Sequence, residues 1–319
     1  MTVSPAAKLA IAKYGTLVAG LLVFIFLLLF ARNFASGANL VTVLKHSSVL
    51  TILAVGFTFA LITSELDLSF ANLCSLGAVV CGGLVHGGVD WPLAALAGLA
   101  VATFGGVTNG LLVTLVKVPS LIATLGTSAI ALGFAFMITG GVAFVGRWPQ
   151  DFLNLARGEV LGLPALIIFM AAVVLLAWFI SKKTRLGVHM LATGEARDAA
   201  HRAGIATSRM KLIGLSLSGF LAGLAAVLLV ANLSSAAPQM AGEFLLNGIA
   251  AVLLGMTMFE PGRPSIAGTA AGALIIAVLD NGLVLLGAPY YLQDIVLGLI
   301  MIGSVALSAT VLKQAAFTV

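Results

Sequence analysis

Residues 118–140 read VPSLIATLGTSAIALGFAFMITG, 23 residues without a formal charge. At 1.5 Å rise per residue, about 20 apolar residues in a helix cross the hydrocarbon core of a bilayer. Four comparable runs precede this one, near 15–31, 47–64, 68–87 and 92–116. Five follow it, near 164–180, 212–232, 244–259, 266–288 and 293–310. The expectation is an all-α polytopic membrane protein of about ten spans, occupying residues 1–319 as one transmembrane domain. The region 47–88 reads either as two crossings or as one broken helix. Composition agrees: the 319 residues are 61% hydrophobic and 8% charged, against roughly a quarter charged in a soluble domain.

The net charge of +5 is not read as a nucleic-acid footprint, because in such a chain the placement of positive charge matters more than the total. With the N-terminus inside, the inner segments hold Lys8, Lys13, Lys117, Lys182, Lys183, Arg185, Arg197, Arg202, Arg209, Lys211, Arg263 and Lys313. The outer segments hold Arg32, Lys45, Arg147 and Arg157. Twelve against four predicts that both termini are cytoplasmic. The first span has a basic lead but a long apolar run and no clear A-x-A site, so it reads as an uncleaved helix. Gly106 and Gly110, Gly219 and Gly223, and Gly268 and Gly272 form small-xxx-small pairs that predict close helix packing. Cys74 and Cys81 read as small packing residues, with no CxxC spacing for a metal.

One inner loop, about 181–211, carries seven of the twelve inner basic residues. Residues 184–205 read TRLGVHMLATGEARDAAHRAGI. Thr193 is placed to cap a short helix ending at Gly204, with Glu195 and Asp198 near its positive end. Ala196, Ala199, Ala200 and Ala203 share one face, bordered by Arg197, His201 and Arg202. A small-residue face with charged borders fits a cleft on another protein. The alternative is a basic loop kept inside by topology alone.

At this loop the chain resembles the coupling loop of bacterial ABC permeases of the ribose (carbohydrate) type. Further segments are similar to that family in the same order. ELDLS at 65–69 resembles its GIDLS segment, and VPSLIATLGT at 118–127 its P-x-F-I-x-T-L-G-T signature. GMTMFEPGRPSIAGTAAGALI at 255–275 resembles its glycine-rich stretch, followed by DNGLVLLG at 280–287. The resemblance spans roughly residues 40–310. It implies an importer permease in the bacterial inner membrane, with separate ATP-binding cassette subunits below and a periplasmic solute-binding protein above. It also implies a second permease subunit, identical or different. ATP and Mg would be bound by the ATPase, and this chain indeed has no GxxxxGK[ST] loop. The implied cargo is a monosaccharide or a related small polar solute such as a polyol, nucleoside or signalling furanose. Glu65, Ala71, Met256, Pro261 and Pro264 stand where the family pattern has glycine. Proline removes backbone freedom that glycine allows, which motivates pairing with a second, different permease.

The polar residues of the apolar frame are the candidates for the solute pathway. Asp280 lies within an apolar span, where a carboxylate costs about 3 kcal/mol on translocon scales. With Asn281 it makes either a hydrogen-bonding patch on the pathway or a cap near the outer end of its helix. Glu65, Asp67, Ser69 and Asn72 surround a break between spans, where backbone and carboxylates can face a water-filled route. Asp67 is also a good N-cap for the helix that follows. Thr124, Thr127, Ser128 and Asn247 are further candidates for pore lining, although such hydroxyls often bond their own backbone. The histidines His46, His86, His189 and His201 are scattered and carry no assignment. The outer, periplasmic loop 141–163 either presents Arg147, Asp151, Arg157 and Glu159 to a docking protein or lies on the membrane, with Trp148 as interfacial anchor. A rival reading is an ion-coupled secondary transporter using Asp280 with Glu65 or Asp67. A membrane enzyme lacks support, because no nucleophile is paired with a base and no HExxH or GxSxG occurs.

Overall fold

The computed structural model describes residues 5–160 and 162–316, with side chains described from residue 16 to residue 304. Lys8, Lys13, Lys313 and both termini, which entered the charge count, lie outside the described side chains. The first half holds α1 (Pro5–Phe30), α2 (Gly37–Ile62), α3 (Phe70–His86), α4 (Trp91–Leu111) and α5 (Ser120–Thr139). A single π-turn, Leu112–Val116, prolongs α4. Next come a short α6 (Gln150–Arg157) and α7 (Ala165–Lys183), then α8 (Arg185–Glu195) and α9 (Arg197–Arg202). The chain closes with α10 (Thr207–Leu233), α11 (Phe244–Gly255), α12 (Ile266–Leu285) and α13 (Tyr291–Ala316).

Among the described residues six helices are long and apolar enough to cross a membrane: α2, α4 with its π-turn, α5, α7, α10 and α12. Shorter apolar helices occupy 16–30, 70–86, 244–255 and 291–304. The region 47–88 is two helices separated by a non-helical linker at 63–69 that opens with a turn, and the first of them starts ten residues earlier than its apolar run, at Gly37 rather than residue 47. The expectation of a purely helical chain needs one amendment. Phe144–Val145 pairs with Ser235–Ala236, and Glu159–Val160 with Leu163–Pro164, as two-residue antiparallel ladders.

The core lies along α2 and α10, whose sides are mostly buried against α3, α4, α7, α11 and α12. The outer helices α4, α5 (packed on α3) and α7 turn Phe104, Leu115, Ile122, Leu175 and Leu176 outward, the arrangement expected where lipid is the solvent. Small residues set the close crossings. A Cβ on Gly106 of α4 would lie 2.6 Å from Leu215 O, and one on Gly219 of α10 would lie 2.6 Å from Ala102 O. The two backbones therefore touch, as the glycine spacing predicts. Gly268 and Gly272 likewise meet Gly255 and Ala251 across the α11–α12 seam. Cys74 and Cys81 are fully buried free thiols of α3, in keeping with a packing role.

Hydrogen bonds and ion pairs sort the connections into two ends. At one end Ser64 meets Gly194, Glu195 meets Arg263, Lys182 meets Glu260, and Lys211 meets Glu65. This basic end also carries Lys117, Lys183, Arg185, Arg197, Arg202 and Arg209 on its connections and helix ends. At the opposite end, Arg157 donates to Asn232 O at 2.6 and 2.8 Å. Trp148 is partly buried there, its ring 6.0 Å from Phe152. It packs onto α6 through Phe152, whose ring also meets Trp91 at 6.1 Å. Arg147, Asp151 and Glu159 are exposed in the same loop.

Candidate functional site

Near the end opposite the basic one, α2, α11, α12 and α13 enclose a cavity of about 390 Å³, within the usual range for small-molecule sites, roughly 300–1,000 Å³. Thr42 and His46, one turn apart on α2, form one wall, and Asp280 and Asn281 of α12 form another. Glu243, Asn247, Gln293 and Asp294 add polar groups from α11 and α13, while Val43, Leu246, Val284 and Leu297 supply apolar lining. Asn281 and Asn39 exchange two side-chain hydrogen bonds, at 2.9 and 3.0 Å, and so lock α12 to α2 beside the cavity. Carboxylates and amide oxygens on such a wall accept hydrogen bonds from hydroxyl groups, and the apolar patches suit the C–H faces of a polyhydroxylated ring.

Three of the expected pathway residues, Asn247, Asp280 and Asn281, thus meet in one place. His46, Glu243, Gln293 and Asp294 were missed. Glu243 and Gln293 sit at or beside span ends, where polar residues are ordinary, and His46 was one of four scattered histidines. The available signal was the i, i+4 spacing of Thr42 and His46, which puts both on one helix face.

The other pathway candidates lie at the linker 63–69, and there they join elements together. Glu65 is buried and paired with Lys211 of α10. Asp67, fully buried, accepts from Ser69 N at 2.8 Å and from Ser69 Oγ at 2.5 Å. Asn109 of α4 donates to that same Ser69 hydroxyl at 2.8 Å. Thr124 of α5 accepts from Leu68 N at 3.1 Å and donates back to Ser120 O at 2.8 Å. Asn72 donates to Ser128 at 2.9 Å, and Thr127 is half-buried on the same helix. Asp67 is not the N-cap of α3. The residue in that position is Ser69, in a helical conformation (φ −95°, ψ −18°) and making no side-chain cap. An N-cap wants an extended backbone, so Asp67 closes a local turn onto Ser69 instead. Glu65 also borders a basic-end pocket of about 270 Å³, with Lys117, Arg197 and Lys211.

The inner loop departs from expectation in one respect. It holds two helices, and Thr193 caps neither of them. Thr184 is the N-cap of α8, accepting from Gly187 N at 3.3 Å. Thr193 is buried near the far end of that helix and donates to His189 O at 2.7 Å, the usual fate of a mid-helix threonine. The chain breaks at Ala196 (φ −150°, ψ 73°), and α9 follows. Gly204 ends it with φ +83°, as expected of a left-handed terminator. Ala196, Ala199 and Ala203 are exposed, as are Arg197 and Arg202 beside them, while Ala200 turns inward. The two helices form a ledge at the basic end with a small-residue face free of neighbours among the described residues.

A family model described as the branched-chain amino acid transport system / permease component matches residues 39–305. The chain is 36% identical over 273 residues to the ribose import permease protein RbsC of Escherichia coli (strain K12), covering 85% of each. It is 34% identical over 303 residues to the D-allose transport system permease protein AlsC of the same strain, covering 94% of this chain and 93% of that one. To the autoinducer 2 import system permease protein LsrC of Salmonella typhi it is 30% identical over 280 residues, covering 88% of this chain and 80% of that one. Because the family match runs from the start of α2 into α13, enclosing cavity, linkers and ledge, the chain belongs to this family of transport-system permease components.

Proposed function

We propose that this chain is the membrane permease of an ATP-driven, binding-protein-dependent importer that carries a monosaccharide or a related small polar solute. One observation carries the reading: relatives named for ribose, allose and autoinducer 2 import are similar over 85–94% of the chain. The polar cavity supports it, since its acceptor-rich wall suits a neutral solute rich in hydroxyl donors. We assign ten crossings, the six long apolar helices and the four shorter ones. The clustering of Lys and Arg at one end supports placing that end, and both termini, in the cytoplasm.

In this reading the α8–α9 ledge receives the ATPase, which binds ATP and Mg, and the exposed face of the 141–163 loop receives the periplasmic binding protein. A second permease, identical or related, completes the pathway. The test is reconstitution of the chain with its cognate ATPase and binding protein in proteoliposomes. Sugar uptake should require ATP and resist ionophores. Uptake that proceeds without ATP and collapses with the ion gradient would make the chain a secondary transporter.

A further inference from the structure

We infer that Gly194 and Glu195, the last two residues of α8, are positioning residues through which a displacement of the ledge reaches both walls of the polar cavity. The inference rests on the ATP-driven reading above and names the parts of the permease that would receive the push. The two helices that wall the cavity with Thr42 and His46 on one side and Asp280 and Asn281 on the other are α2 and α12. Both have their opposite ends at the tip of α8.

The contact with α2 is backbone on backbone. A Cβ on Gly194 would lie 2.1 Å from Ile62 O and 3.3 Å from Ser64 N, so α8 is seated directly on the last turn of α2. Ser64, held in a left-handed conformation at φ 59°, donates its hydroxyl to Gly194 O at 2.8 Å. The contact with α12 runs through the connection that precedes it. Arg263 Nε meets Glu195 Oε1 at 2.7 Å, and the helix begins three residues later. With 20 residues, α12 is a bar of about 30 Å at 1.5 Å per residue, reaching from this contact to the cavity. The two walls are tied to each other on the way: Thr58 and Thr269 share a hydrogen bond at 2.7 Å, and Asn39 pairs with Asn281 nearer the cavity. Close-packed interiors transmit displacement because they do not compress. A shift of α8 therefore moves α2 and α12 together instead of being absorbed locally.

The decisive measurement is sugar transported per ATP hydrolysed, in proteoliposomes holding the full chain with its cognate ATPase and binding protein, and with D-ribose and D-allose as probes. Arg263→Glu places two carboxylates together where an ion pair stood. Both side chains are substantially exposed, at 55% and 41%, so assembly and folding should be unaffected. The transport ratio should fall roughly tenfold and return to within about twofold of wild type in the swap Glu195→Arg with Arg263→Glu. Gly194→Ala should lower the same ratio. A merely structural contact would change the yield of complex without changing the ratio, and a swap would not repair it. The inference is overturned if Arg263→Glu keeps the wild-type ratio, or if the swap is no better than the single change. Wild-type vesicles that show no ATP-dependent uptake of either sugar would instead count against the transport reading itself.

Discussion

Lys211→Met removes the lysine that pairs with Glu65, at a place where the two side chains are 15% and 7% exposed. The carboxylate would then be left in the interior without its counter-charge. Breaking a buried pair from one side costs about 3–5 kcal/mol, and the lower figure applies here because the lysine lies close to the basic-end surface. About 3 kcal/mol is two powers of ten in the folding equilibrium. At roughly 2–4 °C per kcal/mol, the melting temperature should drop by about 6–12 °C. Adding Glu65→Gln removes the stranded charge, and the double variant should recover to within about 1 kcal/mol of wild type. Fluorescence-monitored thermal unfolding of the detergent-purified permease reads all three, with the exposed Lys183→Met as a control expected within about 0.5 kcal/mol. A Lys211→Met protein that melts with wild type, or a double variant as weak as the single one, would refute the reasoning.

Three other outcomes are expected. Gly219→Val should abolish monodisperse permease on size-exclusion chromatography, since a Cβ there meets Ala102 O at 2.6 Å, whereas Gly133→Ala, with nothing within 4 Å, should be neutral. Ala199→Trp, on the exposed face of α9, should leave expression intact and stop coupled ATP hydrolysis; normal uptake would count decisively against docking at that face. In a Cys74→Ala, Cys81→Ala background, a cysteine at Asp198 should react only with reagent applied inside and one at Asp151 only with reagent outside. Labelling of both from one side would overturn the assigned topology.

Most of the frame was legible because apolar runs of spanning length have few other uses. The expected span at 118–140 meets a helix at Ser120–Thr139, and that at 164–180 meets Ala165–Lys183. The ten-residue error at the start of α2 has a physical cause. Asn39, Thr42, Lys45 and His46 lower the hydropathy of its first turns, and two of these four line the cavity. Polar residues that face a cavity lower the hydropathy of their helix, so the misplaced boundary fell where the cavity is. The ladders at 144–145 and 159–160 left no trace, because two residues are too few to show a period of two.

The candidate site was legible only where a residue had few alternatives. A carboxylate in an apolar helix must find a cavity or a partner, and Asp280 duly sits on the cavity wall. Near a helix break a carboxylate has many more uses, and the sequence offers no means of separating lining from tying. What decides is the partner, which is remote: Lys211 stands 146 positions from Glu65, and Asn281 stands 242 from Asn39. The ledge shows the same limit at short range. Thr184 and Thr193 both precede helix-forming residues, and the acidic pair Glu195 and Asp198 favoured the second as a cap. Yet Glu195 is engaged by Arg263 and Gly194 lies against Ile62 O. Glu195 is therefore held as the end of one helix and is not free in the first turn of another. The contact that joins the ledge to both cavity walls is also the one that displaced the cap.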